Sequence, residues 1–226
     1  MLKELDIKQA LKTDKSKTQS PLYKIHKKDN STIVIDEMCI NNSLARADVV
    51  AINSELHCFE IKSDFDTFKR LENQMKNYLE IFDKIYFITT EKHITKITNT
   101  LPECVGVYVI RETNRNISFE EFQKPILNND RNTFKVLNLL WNVELKHLIK
   151  SLKIKGFTKM QNQELYEKIL DLMDEKELHF YIRSILKMRS KVANWKASHT
   201  KELYDEYALF LSTHQNSLFL RPPLIF

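Results

Sequence analysis

Asp48, Glu60 and Lys62 sit inside two short apolar runs of "RADVVAINSELHCFEIKSD", residues 46–64. A strand that only had to pack would carry Val, Ile or Thr there. Alternate residues of a strand share a face, so Asp48 groups with Val50 and Ile52, and Glu60 with Lys62. Two hairpin loops fit the spacing. A two-residue loop at Asn53-Ser54 pairs residue 48 with 59 and sends the two carboxylates to opposite faces. A three-residue loop over 53–55 pairs 52 with 56 and 48 with 60. It sets Asp48 opposite Glu60, with Lys62 one step along. The other face then holds Val49, Ala51, Phe59 and Ile61, good core residues.

Two facing carboxylates repel unless one keeps its proton or a cation lies between them. Hard divalent ions bind through one or two carboxylates plus water and phosphate oxygens. Such an ion acidifies water and neutralises phosphate charge. A neighbouring lysine orients the water and stabilises developing negative charge. Asp48, Glu60 and Lys62 are therefore the equipment of phosphodiester hydrolysis.

Asp48 followed by Glu60-Ile61-Lys62 at the end of the next strand resembles the PD-(D/E)XK signature of restriction-endonuclease-like nucleases. Members often add an upstream acid. Glu37 in "IDEM" stands in that place, with Asp36 equally plausible. The RecB-like branch carries QxxxY in the helix after the lysine strand, and "QMKNY" supplies Gln74 and Tyr78. The residue before Asp48 is Ala47 rather than the Pro of the name. The overlap covers residues 30–110, about a third of the chain. The whole chain also resembles an uncharacterised bacterial family that joins this core to a helical tail with an "LLW" segment, here 139–141. The resemblance implies a restriction-endonuclease-like α/β fold and Mg²⁺ or Mn²⁺ as cofactor. Asp48, Glu60 and Glu37 would bind the metal, Lys62 would activate water, and Gln74 and Tyr78 would support the site. It implies a bacterial or phage protein of DNA repair or mobile elements. The [DE]xK triplet alone is unspecific, since Glu144–Lys146 and Asp174–Lys176 also match it within helical patterns.

These residues need elements to position them. Residues 3–12 read as a helix, and 13–31 as a loop broken by Pro21. Strands are expected over 32–38, 46–52 and 56–62. From residue 64, Phe68, Leu71, Met75, Tyr78, Leu79 and Phe82 recur at helical spacing, with Asp64 or Asp66 as the cap. A strand at 84–90, a helix ending before Pro102 and a strand at 105–111 follow. This order predicts an α/β fold, a mixed sheet flanked by helices. The expected domains are a nuclease-like 1–128 and a basic, all-helical 129–226.

Composition narrows the function classes. Only Gly106 and Gly156 occur, which excludes Gly-rich phosphate loops. Three cysteines without a CxxC pair argue against a zinc knuckle or a disulfide framework. The charged N-terminus is not a signal peptide, and no apolar run approaches a membrane span. A cytoplasmic protein is expected. The net charge of +5 is uneven: residues 131–226 carry +6 and the remainder −1. Residues 146–160 and 178–201 contain no acid, as suits a polyanion. Lys69, Arg70, Arg189, Lys191, Trp195 and Lys196 are the expected nucleic-acid contacts, with Trp195 stacking on bases. Trp141 reads as helix core and His57 as structural. The expected function is metal-dependent hydrolysis of nucleic acid, DNA ahead of RNA. The alternatives are a non-catalytic nucleic-acid-binding module and a subunit docking a protein partner through its helical tail.

Overall fold

The computed structural model describes residues 2–13, 19–98, 100–113 and 116–192, with Leu209 and Thr213 beyond them. The chain divides into two compact units, Met1–Asn132 and Thr133–Phe226.

The first unit is built on six strands: β1 (Ile33–Ile40), β2 (Ala45–Ile52), β3 (Leu56–Lys62), β4 (Lys84–Thr90), β5 (Gly106–Thr113) and β6 (Asn116–Gln123). They form one sheet in chain order. β3, β4 and β5 are parallel neighbours and the remaining pairs are antiparallel. The α/β mixed sheet expected from the element order is therefore present. Ile52 pairs with Leu56 and Val49 with Phe59, the register of the three-residue loop. Val49, Ala51, Phe59 and Ile61 consequently share one apolar face with Tyr86, Ile88, Tyr108, Ile110 and Phe119.

Two helices supply the other half of that core. In α1 (Glu4–Lys12), Ile7 and Leu11 are buried, acids lie in the first turn and Lys12 in the last, as the helix dipole favours. The loop expected over 13–31 instead contains α2 (Pro21–Lys28). Pro21 does not break a helix there but begins one, because at the first helical position its missing N–H is no loss. Ser20 caps it, accepting the Tyr23 N–H at 3.0 Å. Its hydroxyl also donates to the Leu11 carbonyl at 3.0 Å, tying the two helices together. Leu22 and Ile25 complete the core. Each such side chain contributes about 1.5–3 kcal/mol when fully buried.

Three further expectations are corrected. The helix after β3, α3 (Leu71–Leu79), starts at Leu71 with Arg70 as its N-cap rather than near residue 64. The expected caps are engaged elsewhere. Asp66 accepts from the Ser63 N–H and hydroxyl, and Asp64 accepts from Thr90. The helix expected before Pro102 shrinks to a 3₁₀ turn at Glu91–His93 and α4 (Ile94–Ile97). β6 was not anticipated at all. Five of its eight residues are acidic or polar, as befits an edge strand.

His57 lies in the core layer, 3% exposed. Its ring nitrogens lie 3.2 Å from Asn53 Oδ1 and 3.3 Å from the Tyr86 hydroxyl. Burial pulls its pKa down to about 4, helped by the Lys84 and Lys28 charges and opposed by Glu55. Folded His57 stays neutral where the unfolded chain takes up a proton. Its contribution is thus full above pH 6.5 and is lost as pH falls towards 4, by up to about 3 kcal/mol. We expect the stability difference between wild type and His57→Gln to shrink or reverse between pH 7 and pH 4.5 in urea unfolding. A pH-independent difference would refute this.

Gly106 serves close approach rather than a special dihedral. A Cβ there would stand 2.7 Å from Pro125 Cδ and 2.9 Å from its backbone nitrogen. Gly106→Ala must push the 124–128 segment off β5. A loss of about 1–3 kcal/mol in chemical denaturation is expected.

The second unit is helical among the described residues: α5 (Thr133–Leu137), α6 (Asn142–Ser151), α7 (Asn162–Leu172) and α8 (Glu175–Val192). No described helix is long and apolar enough to cross a membrane.

Candidate active site

β2 and β3 stop pairing at Val49 and Phe59. Just beyond, the Asp48 carboxylate takes over from the ladder and accepts the Ile61 N–H through Oδ2 at 2.8 Å. The same register across β1 sets Asp36 opposite Val49 and Met38 opposite Ala47. Glu37 therefore falls level with Asp48, and Asp48 level with Glu60. Glu37 adopts φ +53°, a strained left-handed conformation for a residue with a side chain. Asp36, its rival in the sequence, pairs with Lys12 at 2.6 Å, away from this row.

Glu60 is fully buried. Oε1 accepts from Lys62 Nζ at 2.5 Å and from Gln74 Nε2 at 2.7 Å. Oε2 lies 2.6 Å from the Tyr78 hydroxyl, which also lies 2.8 Å from the Arg46 carbonyl. Gln74 and Tyr78 reach it together because they are four apart on α3. Burial, with the charges around it, pushes the Tyr78 hydroxyl far above its ordinary range, so it serves as a proton donor. Gln74 Oε1 is buried without a hydrogen-bond partner. Glu60 and Lys62 therefore form a largely buried ion pair rather than a solvated one.

Asp48 responds to this crowding. Burial, reinforced by the Glu60 charge, raises its pKa to about 7, against the pull of the Ile61 N–H. Glu4, at the start of α1, adds to the repulsion. Ligand oxygens of Glu4, Glu37 and Asp48 all lie within 4.8 Å of one another. Opposed oxygens around a hard cation stand about 4–5 Å apart. An all-oxygen triangle with one reluctant carboxylate fits Mg²⁺ or Mn²⁺. The structure thus brings Glu37 to Asp48 as expected and adds Glu4. Glu60 stands outside the triangle, held by Lys62, Gln74 and Tyr78. Sequence reasoning missed Glu4 because α1 precedes the motif by some forty residues. Its one signal was the "ELDIK" spacing, which puts Glu4 and Lys8 on one helix face.

Lys69 and Arg70 are exposed immediately before α3. Arg189 is corrected: it is not available to nucleic acid. It is 8% exposed and pairs with fully buried Glu144, Nε to Oε1 at 3.0 Å and Nη2 to Oε2. Nη2 also donates to the Leu139 carbonyl, and the guanidinium lies 4.1 Å from the Trp141 ring centre. Trp141 is the N-cap of α6 rather than helix interior. Trp195, Lys196 and the side chain of Lys191 lie outside the described residues. In the acid-free 146–160 stretch, Lys150, Lys153, Lys155 and Lys159 are exposed.

The fold and the site together define an α/β protein with a carboxylate–lysine centre at one end of a mixed sheet. The chain belongs to the family described as Bacteriophage P4 protein cII, whose pattern matches residues 10–206. Protein cII of Enterobacteria phage P4 is 35% identical over 128 residues, which are 57% of this chain. The chain spans about half, 48%, of that curated relative's length. No solved structure matches.

Proposed function

We propose that this protein is a metal-dependent nuclease of the PD-(D/E)XK type that hydrolyses phosphodiester bonds, with DNA the expected substrate ahead of RNA. The observation that carries the reading is the pairing of a buried Glu60–Lys62–Gln74–Tyr78 network with a triangle of carboxylates at Glu4, Glu37 and Asp48. A structural ion pair needs no such second set of acids, and a carboxylate cluster of this kind costs stability unless a cation relieves it.

Glu4, Glu37 and Asp48 would hold Mg²⁺ or Mn²⁺. When bound, the ion supplies an acidified water and a counter-charge for the phosphate. Lys62 presents an ammonium beside Glu60, where it would orient water and stabilise negative charge that develops on phosphate. Glu60 fixes that ammonium, while Gln74 and Tyr78 fix Glu60. Exposed Lys69 and Arg70 suit the sequence-independent grip of a phosphate backbone, and so, separately in the helical unit, do exposed Lys150, Lys153, Lys155 and Lys159.

The test is cleavage of labelled single- and double-stranded DNA in Mg²⁺, Mn²⁺ or EDTA, by wild type and Lys62→Ala. Products that vanish in EDTA and fall at least about 100-fold in the variant are expected. Salt-sensitive binding without cleavage in any metal would instead favour a non-catalytic binding module.

A further inference from the structure

Three elements each bring one acid and one cation to this site at the spacing that puts both on one side. On α1 these are Glu4 and Lys8, one helical turn apart. On β2 they are Arg46 and Asp48, and on β3 Glu60 and Lys62, each two apart on a strand. Lys62 belongs to Glu60. Lys8 and Arg46 both turn instead to the fourth acid, Glu37. Lys8 Nζ bonds its Oε1, and Arg46 Nε lies 2.8 Å from its Oε2. Among the described residues, neither Glu4 nor Asp48 has an ion-pair partner.

We infer that Lys8 and Arg46 are the cations that grip the substrate's phosphate, and that Glu37 holds them only while no metal is bound. The inference rests on the nuclease reading above. Four carboxylates here face three cationic side chains. A divalent ion on Glu37, Asp48 and Glu4 reverses that balance to a single positive excess, the charge matched by one phosphodiester. Glu37 cannot give the same oxygens fully to the metal and to both cations. Arg46 is placed to leave, with its side chain 63% exposed. Its planar fork suits bidentate phosphate contact, whereas Lys8, 12% exposed, is the inner point charge. Metal and nucleic acid should therefore bind with positive coupling, each strengthening the other by the same factor.

The experiment follows binding of a fluorescent oligonucleotide with Ca²⁺ across a salt series, for wild type, Arg46→Gln, Lys8→Gln and Lys76→Gln. Lys76 is exposed on α3 and serves as the control. Calorimetric titration with Mn²⁺ alone accompanies it. Arg46→Gln and Lys8→Gln are each expected to reduce the salt slope by about 0.7–0.9 and to weaken binding severalfold. Each should tighten Mn²⁺ severalfold, because Glu37 loses a competitor. Lys76→Gln should do neither. A wild-type salt slope in both variants overturns the inference and leaves the nuclease reading standing. Failure of the wild type to bind or cleave any nucleic acid overturns the nuclease reading, and this inference with it.

Discussion

Asp48→Asn is expected to cut metal-dependent cleavage by at least about 100-fold while making the metal-free protein more stable at pH 8. The two effects share one cause. Asp48 is mostly buried and lies beside Glu60, and its pKa is raised to about 7. Between its unfolded value near 3.8 and about 7, the folded protein keeps a proton that the unfolded chain releases. That contribution is present at low pH and lost as pH rises through this window. By pH 8 the ionised carboxylate costs about 1–4 kcal/mol. Asparagine removes the charge and keeps an oxygen for the Ile61 N–H. Urea unfolding in EDTA should show the gain. Saturating Mn²⁺ should stabilise the wild type, by about 2.7 kcal/mol at one hundred times Kd, and leave the variant unmoved. A variant less stable than wild type in EDTA at pH 8 would show that Asp48 is a structural anchor. His57 acts with the opposite sign over an overlapping range, so removing Asp48 should also steepen the loss of stability in acid.

The second large effect lies in the helical unit. Arg189→Ala should destabilise it by about 3–5 kcal/mol, because Glu144 is left charged, fully buried and without its guanidinium. Glu144 also accepts the Trp141 N–H at 2.7 Å, closing the start of α6, so the damage spreads to that cap. Urea unfolding followed by tryptophan emission would measure the loss. The double variant Arg189→Met with Glu144→Gln should recover much of it, since no buried charge then lacks a partner. If Arg189→Ala instead weakens oligonucleotide binding and spares stability, the residue reverts to the phosphate contact that its basic surroundings suggested.

The sequence by itself determined what depends on near neighbours. Alternation of apolar residues marked β2 and β3, helical spacing marked α3, and the four-residue step from Gln74 to Tyr78 put both on one face. The α/β class followed from the order of those signals. Edge strand β6 and helix α2 escaped because their markers point both ways: acids on a strand, a proline at a helix start. Only the tertiary structure decided between the two hairpin registers. The apolar face of β2 and β3 had to meet Ile7, Leu11, Leu22 and Ile25, and that choice carried Asp48 to the level of Glu60. Tertiary structure alone joined Glu4 to Glu37 and Asp48, and gave Glu60 its three donors. It also took Arg189 out of a basic stretch and into a buried pair. Spacing reports what shares a face within one element. Burial and charge pairing depend on which faces meet, and those partners lie tens of residues apart along the chain.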